Sequence, residues 1–222
     1  MKLFNSIFLI AIILSVDQFS KILIKTNLYY GEEIPVFGLN WFKLNFIENE
    51  GMAWGTVIPG EYGKLILTVF RLIAICGIGY WMYDVSNKRK HILLSIAIAF
   101  IFAGALGNII DSVFYGLVFD ESTPTHLASY FSDQPYGTLF HGKVVDMFYF
   151  PIWRGNLPTW IPYFGGEEAS FFNAVFNIAD LSISIGVGIL IVFNKKAFGP
   201  APTPPHVSYS STINPDDYII KR

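Results

Sequence analysis

Four long apolar runs dominate this chain and restrict it to folds that bury such runs in lipid. They lie at about 3–24, 63–83, 92–118 and 171–193, and polar or charged segments separate them. A helix of about 20 residues spans the roughly 30 Å hydrocarbon core of a bilayer, so each run is long enough to cross it. The sequence therefore predicts an all-α polytopic membrane protein, built as a four-transmembrane-helix bundle.

The composition excludes several other classes of protein. Hydrophobic residues make up 53% of the 222 residues and charged residues 14%, which is too apolar for a disordered chain or an ordinary soluble domain. A net charge of −2 without a basic cluster argues against nucleic-acid binding. The single cysteine and four scattered histidines provide neither a disulfide framework nor metal-ligand spacing. We expect no metal, no cofactor and no nucleic-acid partner.

Basic residues predict the orientation of the four runs. Lys2 precedes the first run, residues 88–90 separate the second and third, and residues 195–196 follow the fourth. Lysine and arginine in short loops favour the cytoplasmic side, so both termini are expected there. The segments at 25–62 and 119–170 then face outward.

The chain divides into a membrane domain, residues 1–198, and a tail, residues 199–222. The tail contains several prolines followed by serine and asparagine, which is typical of a disordered cytoplasmic extension. Aromatic residues of the outer segments, such as Trp41, Trp153 and Trp160, fit either a belt at the membrane surface or the core of an extracytoplasmic subdomain. Both interpretations stay open at this point.

Carboxylates inside the apolar runs are the strongest functional signal. A charged side chain at the bilayer centre costs on the order of 2.5–3.5 kcal/mol, so such residues indicate function. The helix rise places Asp17 roughly 21 Å from the cytoplasmic end of the first run and Asp111 roughly 28 Å into the third. Asp180 lies roughly 14 Å from the outer end of the fourth run, and Asp146 precedes that run. The acids converge on one level, which predicts a single site near the outer leaflet.

Polar neighbours of these acids have the spacing of a shared helix face. The pairs three or four residues apart are Asp17 with Lys21, Asn108 with Asp111, and Asn177 with Asp180. For Asp17 and Lys21, an ion pair that orients the first helix and a chemical role are both open. Asn108 and Asp111 fit structural hydrogen bonding and support of a site equally well.

Asp146 and Asp180 are the two acids for which a catalytic role is favoured. Asp180 has no adjacent cation in its own helix, and a second carboxyl that shares its proton would stabilise it. Two neighbouring carboxyl groups cannot both ionise cheaply, so one stays protonated. The ionised member can activate water while the neutral member protonates a departing amine, as in aspartic proteases.

Five segments, taken in order, carry a resemblance to a known family. They are Asp17-Gln-Phe-Ser-Lys21, Asn49-Glu-Gly-Met-Ala-Trp54, Gly104-Ala-Leu-Gly-Asn-Ile-Ile-Asp111, Gly142-Lys-Val-Val-Asp146 and Phe176-Asn-Ile-Ala-Asp180. Together they resemble the bacterial lipoprotein signal peptidases (signal peptidase II), which are four-span aspartic peptidases of the cytoplasmic membrane. The resemblance covers the whole membrane part of the chain.

The resemblance implies a function and a set of site residues. Asp146 and Asp180 would be the catalytic pair. Substrate-binding or site-supporting roles would fall to Asp17, Lys21, Asn49, Gly51, Gly104, Asn108, Asp111, Asn177 and Ala179. The family removes the signal peptide of lipid-modified prolipoproteins just before the diacylglyceryl cysteine, needs no metal or organic cofactor, and is the target of the cyclic peptide globomycin. We expect a monomeric intramembrane endopeptidase of the bacterial inner membrane that contacts membrane lipid, with its site toward the outer leaflet.

The outer segment between the first two runs is expected to form a small strand-rich extracytoplasmic platform. Residues 41–55 would cover the scissile bond as platform and flap. The turn Asn49-Glu50-Gly51 suits a close approach of the backbone to a substrate.

Two departures from the family pattern lead to further predictions. The family places an arginine directly after the acid of its Gly-Asn-x-x-Asp block, where this chain has Ser112. We expect Arg71, roughly 10 Å inward from the outer end of the second run, to supply that charge. The first catalytic acid also follows the third run sooner in the family, which makes Asp120 a rival of Asp146. We assign Asp146, because residues 142–146 match the family block and residues 121–140 have the character of an inserted loop.

Two other classes of function remain open from the sequence. A transport or proton-relay protein also uses intramembrane carboxylates, but it would spread them across the membrane thickness rather than gather them at one level. A membrane scaffold whose polar residues only hold helices together would tolerate Asp180→Asn.

Overall fold

The computed structural model of the chain describes residues 1–50 and 63–199. Among these residues, three helices are long and apolar enough to cross a membrane: α1 (Leu3–Asn27), α2 (Gly63–Asn87), and α3 (Ile92–Ile110), which continues through a π-helical turn (Asp111–Tyr115) into the short helix α4 (Gly116–Val118). These helices coincide with the first three predicted spans. Gly51, the last part of the predicted platform and flap (51–55) and the tail from residue 200 lie outside the described residues.

The fourth predicted span, 171–193, begins later than predicted. Helix α5 covers only Ile178–Val192, and residues 171–176 belong to strands and a loop. Asn177 and Asp180 cap the helix reciprocally: each side chain accepts a hydrogen bond from the backbone N–H of the other. This capping box fixes the start of the helix. With 15 residues, α5 is roughly 22 Å long, which is shorter than the hydrocarbon core.

The prediction of an all-α fold is incomplete, because strands from two outer segments form one antiparallel sheet. Its four strands, in spatial order, are β1 (Glu33–Pro35), β2 (Lys43–Asn49), β3 (Val144–Tyr149) and β6 (Val175–Phe176). The first two lie between α1 and α2, as the predicted platform did. The other two follow α4, so the sheet joins both outer segments.

A separate two-stranded hairpin and a short terminal helix complete the described fold. The hairpin pairs β4 (Trp153–Asn156) with β5 (Glu168–Phe171), and the helix α6 (Asn194–Ala197) follows α5. Residues 119–143, which contain the predicted inserted loop, run through turns and bridges back along the π-helical turn that follows α3. Backbone hydrogen bonds from Phe140 to Val113 and from Gly142 to Ser112 hold this loop to the helix end.

Helix α3 lies at the centre of the bundle and packs against α1, α2 and α5. Glycine makes its approach to α5 possible, because a Cβ atom at Gly104 would lie 2.2 Å from the carbonyl oxygen of Ala179. A second close approach occurs at Gly186 of α5, where a Cβ atom would lie 2.6 Å from the carbonyl oxygen of Ala97. The outward faces of α1 and α2 expose large apolar side chains such as Phe8 and Phe70, as expected of surfaces that contact lipid. The packing leaves the polar side chains of the helices turned inward, near one end of the bundle.

Candidate active site

Polar side chains from three helices and two strands meet where the helix bundle joins the sheet. Helix α1 contributes Asp17 and Lys21, α3 contributes Asn108 and Asp111, the start of α5 contributes Asn177 and Asp180, β2 contributes Asn49, and β3 contributes Asp146. Several of these groups are almost completely buried, with exposures between 0 and 2% for Asp17, Lys21, Asp111, Asp146 and Asn177. Buried charges need partners, so the pairing of each group decides what it can do.

Lys21 is the cation at the centre of this cluster. Its Nζ atom lies 3.0 Å from Oδ2 of Asp17 and 2.8 Å from Oδ2 of Asp111. The same ammonium donates a hydrogen bond of 2.9 Å to Oδ1 of Asn108. Three acceptors therefore use all three donors of the ammonium group. The ion pair expected within α1 is present, and it extends to a second carboxylate on α3.

Asp17 also connects α1 to α5. Its Oδ1 atom accepts a hydrogen bond of 2.8 Å from the backbone N–H of Ala179, in the first turn of α5. Gly107 of α3 lies against the same carboxylate, since a Cβ atom there would lie 2.6 Å from Oδ2 of Asp17. Gly104 lies against Ala179, and Ala179 is hydrogen-bonded to Asp17, so these predicted residues lie where α1, α3 and α5 meet.

Gln18 is a site residue that the sequence analysis did not single out. Its side-chain amide donates to Oδ1 of Asp111 at 2.9 Å and to Oδ2 of Asp17 at 3.1 Å. Its carbonyl oxygen accepts a hydrogen bond of 3.2 Å from the hydroxyl of Tyr115. The only sequence signal for Gln18 is its position directly after Asp17, an acid inside an apolar run. That position does not predict which helix the side-chain amide would contact.

Asp146 is held by two amides. Nδ2 of Asn177 donates to its Oδ1 atom at 2.7 Å, and Nδ2 of Asn49 donates to its Oδ2 atom. Burial raises the pKa of Asp146 to about 7, and the charge of Asp180 contributes to this rise, while the amide hydrogen bonds and the charge of Lys21 act in the opposite direction. Asp146 is therefore a carboxyl group that binds a proton near neutral pH.

Asp180 is the fourth aspartate of the cluster and is half-buried. Its Oδ1 atom accepts a hydrogen bond of 2.8 Å from Asn108, and its Oδ2 atom accepts one of 3.3 Å from the backbone N–H of Asn177. Asn177 thus contacts both Asp146 and Asp180. These two acids face amides, whereas Asp17 and Asp111 share a lysine.

Arg71 of α2 approaches the same end of the site. Asp180 is close enough to interact electrostatically with it. Its Nη1 atom is buried and has no hydrogen-bond partner among the described residues. Ser112, which stands where the resembling family has arginine, is buried instead and donates to the carbonyl oxygen of Asn108 at 2.9 Å.

The rival acid Asp120 lies directly before the inserted loop, away from these contacts. It accepts hydrogen bonds from the backbone N–H of Ser129 at 2.6 Å and from His126 at 3.3 Å. Although partial burial raises the pKa of Asp120, these two hydrogen bonds outweigh that effect and hold the pKa below its usual range. Asp120 is thus an ordinary ionised carboxylate in this structure.

Among the described residues, the arrangement provides one acid pair that is bridged by a lysine and one acid pair without a cation in hydrogen-bond contact. Within residues 1–50 and 63–199, no three His, Cys, Asp or Glu side chains are placed to hold a metal ion. Two carboxyl groups that share a neighbour can act as acid and base in turn when one of them holds a proton.

Comparisons with known proteins point to one family. The family model described as signal peptidase (SPase) II matches residues 9–195. A lipoprotein signal peptidase of Porphyromonas gingivalis is 44% identical over 185 residues, which cover 83% of this chain and 80% of that protein. A lipoprotein signal peptidase of Amoebophilus asiaticus is 36% identical over 202 residues, which cover 87% of this chain and 78% of that protein.

Solved structures of bacterial membrane enzymes share the fold. One, determined by the in meso method at 1.9 Å resolution, has a TM-score of 0.57 and 25% identity, and the match covers 86% of this chain and 93% of that enzyme. Another, at 2.3 Å resolution, has a TM-score of 0.54 and 26% identity, with coverage of 86% and 88%.

Proposed function

The chain belongs to the signal peptidase II family of membrane peptidases, and we propose that it cleaves diacylglyceryl-modified prolipoproteins before the lipidated cysteine by an aspartic mechanism. Asp146 and Asp180 are the proposed catalytic pair. The observation that carries this assignment is their common contact with Asn177, together with the absence of a cation hydrogen-bonded to either acid among the described residues.

The pair holds one proton near neutral pH, because two close carboxyl groups do not both ionise cheaply. The ionised carboxylate accepts a proton from water as the water oxygen attacks the scissile carbonyl carbon. The neutral carboxyl donates its proton to the carbonyl oxygen, giving a tetrahedral diol. When the C–N bond breaks, the proton taken from water passes to the departing amine, and the proton on the oxygen returns to the second carboxyl.

The remaining members of the cluster hold this pair in place. Asn108 bridges the two halves of the site, since it accepts from Lys21 and donates to Asp180. Lys21 is paired with both Asp17 and Asp111, so its positive charge offsets one of their two negative charges beside the proposed catalytic pair. A fixed orientation of the reacting groups is worth several kcal/mol in catalysis, so these supports are part of the proposed mechanism.

Arg71 is proposed to supply the positive charge that the family pattern places at Ser112. Its Nη1 atom, which has no partner in the described part of the chain, and its interaction with Asp180 support this assignment. Arg71→Met should lower cleavage while the protein stays folded, and Arg71→Lys should retain more activity because it keeps the charge. Adding Ser112→Arg to Arg71→Ala asks whether charge at the family position restores activity. Wild-type cleavage by Arg71→Met would remove Arg71 from the site.

The proposed topology places four crossings in the bacterial inner membrane, with α5 as a short fourth span. Both termini would be cytoplasmic and the site would lie toward the outer leaflet, where a lipid-anchored substrate presents its cleavage point. We propose that residues 1–198 act as one monomeric domain and that the tail is disordered. A cyclic peptide of the globomycin type is expected to compete for the same site.

The direct test uses purified protein and a diacylglyceryl-modified prolipoprotein, with released signal peptide as the readout. Asp146→Asn and Asp180→Asn should each lower cleavage by about 10³-fold or more, because each removes one member of the acid–base pair. Asp120→Asn is the matched control and should cleave like the wild type. Cleavage by Asp146→Asn together with inactivity of Asp120→Asn would assign the wrong acid, and no cleavage by the wild type would refute the function.

A further inference from the structure

Asn49, which donates to Asp146, stands between two glutamates that are paired with lysines of different helices. Glu48 is paired with Lys25, near the end of α1, and Glu50 with Lys64, at the start of α2. Successive side chains of a strand point to opposite faces, so Glu48 lies on the face opposite Asn49, and Glu50 directly follows the end of the strand. Two ion pairs, Lys25–Glu48 and Lys64–Glu50, therefore flank the residue that contacts the proposed catalytic acid.

Lys25 is a second fully buried lysine, one helical turn beyond Lys21, with 0% exposure against 3% for Glu48. Its Nζ atom donates to Oγ of Ser122 at 2.7 Å. The rings of Tyr136 and Phe119 lie 5.0 and 5.3 Å from the same atom. A buried ion pair is stable only when further polar or cation–π contacts offset the loss of water.

Those further contacts come from the inserted loop and the residues directly before it. Ser122, Phe119 and Tyr136 all belong to the segment between α4 and β3. The hydroxyl of Tyr136 also accepts a hydrogen bond of 2.7 Å from the backbone N–H of Lys143, just before β3. The loop therefore encloses Lys25 and contacts the strand that carries Asp146.

The end of β2 needs such support, because the pairing of β2 with β3 is irregular between Leu44 and Ile47. Pairing resumes with Ile47 opposite Asp146, Glu48 opposite Val145 and Asn49 opposite Val144, which is the last pair of the ladder. An irregularity of this kind redirects the side chains that follow it, so the preceding ladder does not by itself fix where Asn49 points. The flanking ion pairs attach this strand end to two helices.

We propose that Lys25, Glu48, Lys64 and Glu50 are positioning residues that hold the Asn49 amide on Asp146, and that the inserted loop serves this role by enclosing Lys25. This inference rests on the proposed function, since it takes Asp146 as catalytic. It assigns no contact with substrate to the four residues.

The double variant Lys25→Met/Glu48→Leu replaces the buried pair with apolar side chains of similar size, which preserves burial. We expect kcat to fall roughly 10- to 100-fold, because the reacting group is misplaced. The hydrogen bond from Asn49 lowers the pKa of Asp146, so its loss should move the pH profile of kcat/KM to higher pH. Asp180 of α5 and Lys21 of α1, the charged groups that act on Asp146, are unchanged in this variant.

Asn49→Ala is the reference for this effect. It should shift the pH profile in the same direction, and adding the double variant to it should cause no further loss, because both changes remove one interaction. Losses that multiply, or a loss of kcat without a shift of the pH profile, would show a purely structural role and overturn the inference.

A second ion pair on the same strand provides the matched control. Lys43 and Glu33 are paired at 2.7 Å before the irregularity and are partly exposed. Lys43→Gln/Glu33→Gln should leave kcat and the pH profile unchanged, and an equal shift in this control would overturn the inference. If the buried double variant fails to fold, Glu50→Gln removes the more exposed flanking pair and should give a smaller shift in the same direction; an unshifted profile there would overturn the inference.

The two proposals fail separately. If the wild type cleaves and Asp180→Asn does not, the proposed function stands. A variant of the flanking ion pairs that then behaves like the wild type refutes the positioning role alone.

Discussion

Four aspartates lie in one buried cluster, yet they form two pairs with opposite surroundings. Asp17 and Asp111 are bridged by the ammonium of Lys21, with N–O distances of 3.0 and 2.8 Å. Asp146 and Asp180 are contacted by asparagine amides, which carry no charge. The pairs differ in one cation. Lys21 contacts both carboxylates of the first pair, whereas no cation among the described residues is hydrogen-bonded to the second pair, whose acids we expect to share a proton.

This contrast supports different proposed roles for residues of one type. One ammonium group joins the first pair and connects α1 with α3. Burial and the neighbouring charge of Asp180 raise the pKa of Asp146, in the second pair, to about 7. Asp17, Asp111 and Asp180 lie inside apolar runs and Asp146 precedes one, so the partners of the acids, not their sequence positions, distinguish the two pairs.

The largest expected effect comes from removing the cation. Lys21→Met leaves Asp17 and Asp111 buried without a counter-charge, which should lower the free energy of unfolding by about 3–5 kcal/mol. Thermal unfolding in detergent measures this loss. Adding Asp17→Asn to Lys21→Met should recover part of the stability, because it removes one uncompensated charge. Equal stability of Lys21→Met and the wild type would abolish the distinction between the pairs.

The second pair should show its nature in the pH dependence of stability. The pKa of Asp146 is raised from 3.8 to about 7 on folding, so the folded protein binds a proton that the unfolded chain has lost. Stability should therefore be full below pH 4 and fall by an amount on the order of a few kcal/mol as pH rises to about 7. Asp146→Asn should not show this fall, and its Tm above pH 7 should exceed that of the wild type. Parallel curves for both proteins would contradict the assignment.

A smaller effect is expected at the seam between α3 and α5, next to both pairs. Gly104→Ala places a methyl group 2.2 Å from the carbonyl oxygen of Ala179, so the helices must separate. Overpacking of this kind costs about 1–3 kcal/mol. The cleavage rate should fall by a larger factor than the loss of folded protein explains, because the displaced turn carries Asp180. Gly188→Ala is the control, since a Cβ atom there meets nothing within 4 Å and should change neither quantity.

The smallest effect is expected outside the cluster, at Asp120. Its ion pair with His126 is partly exposed, and such pairs contribute about 0–1 kcal/mol. His126→Ala should change stability within that range and leave cleavage unaltered. A large loss of activity in this variant would show that the inserted loop takes part directly in cleavage, in addition to the two acid pairs.

The sequence alone predicted the depth of the cluster but not its connections. The helix rise brought Asp17, Asp111 and Asp180 to one level, and the structure brings these residues together. The i, i+4 spacing predicted contact between Asp17 and Lys21, whereas the contact of Lys21 with Asp111 depends on how two helices rotate against each other. Rotation follows from packing at glycines, which periodicity does not specify.

The start of α5 shows another limit of sequence patterns. Residues 171–176 are apolar enough to extend a helical run, and a short apolar stretch looks the same in a strand and in a helix. The capping box of Asn177 and Asp180 decides the boundary. The pairing of Lys25 with Glu48 was equally invisible, since it joins a helix end to a strand that the sequence did not place beside it.

The short helix α5 also bears on how water reaches the acids in the hydrolysis that we propose. Because α5 begins at Ile178, its first turn carries Asp180 four residues after strand β6 rather than after a further stretch of apolar helix. We expect hydration to reach the acids along polar strand backbones, with little hydrocarbon to traverse. The length of α5 would then control how much water reaches the proposed catalytic acids. Extending the helix by two turns at its N-terminus would exclude water from them.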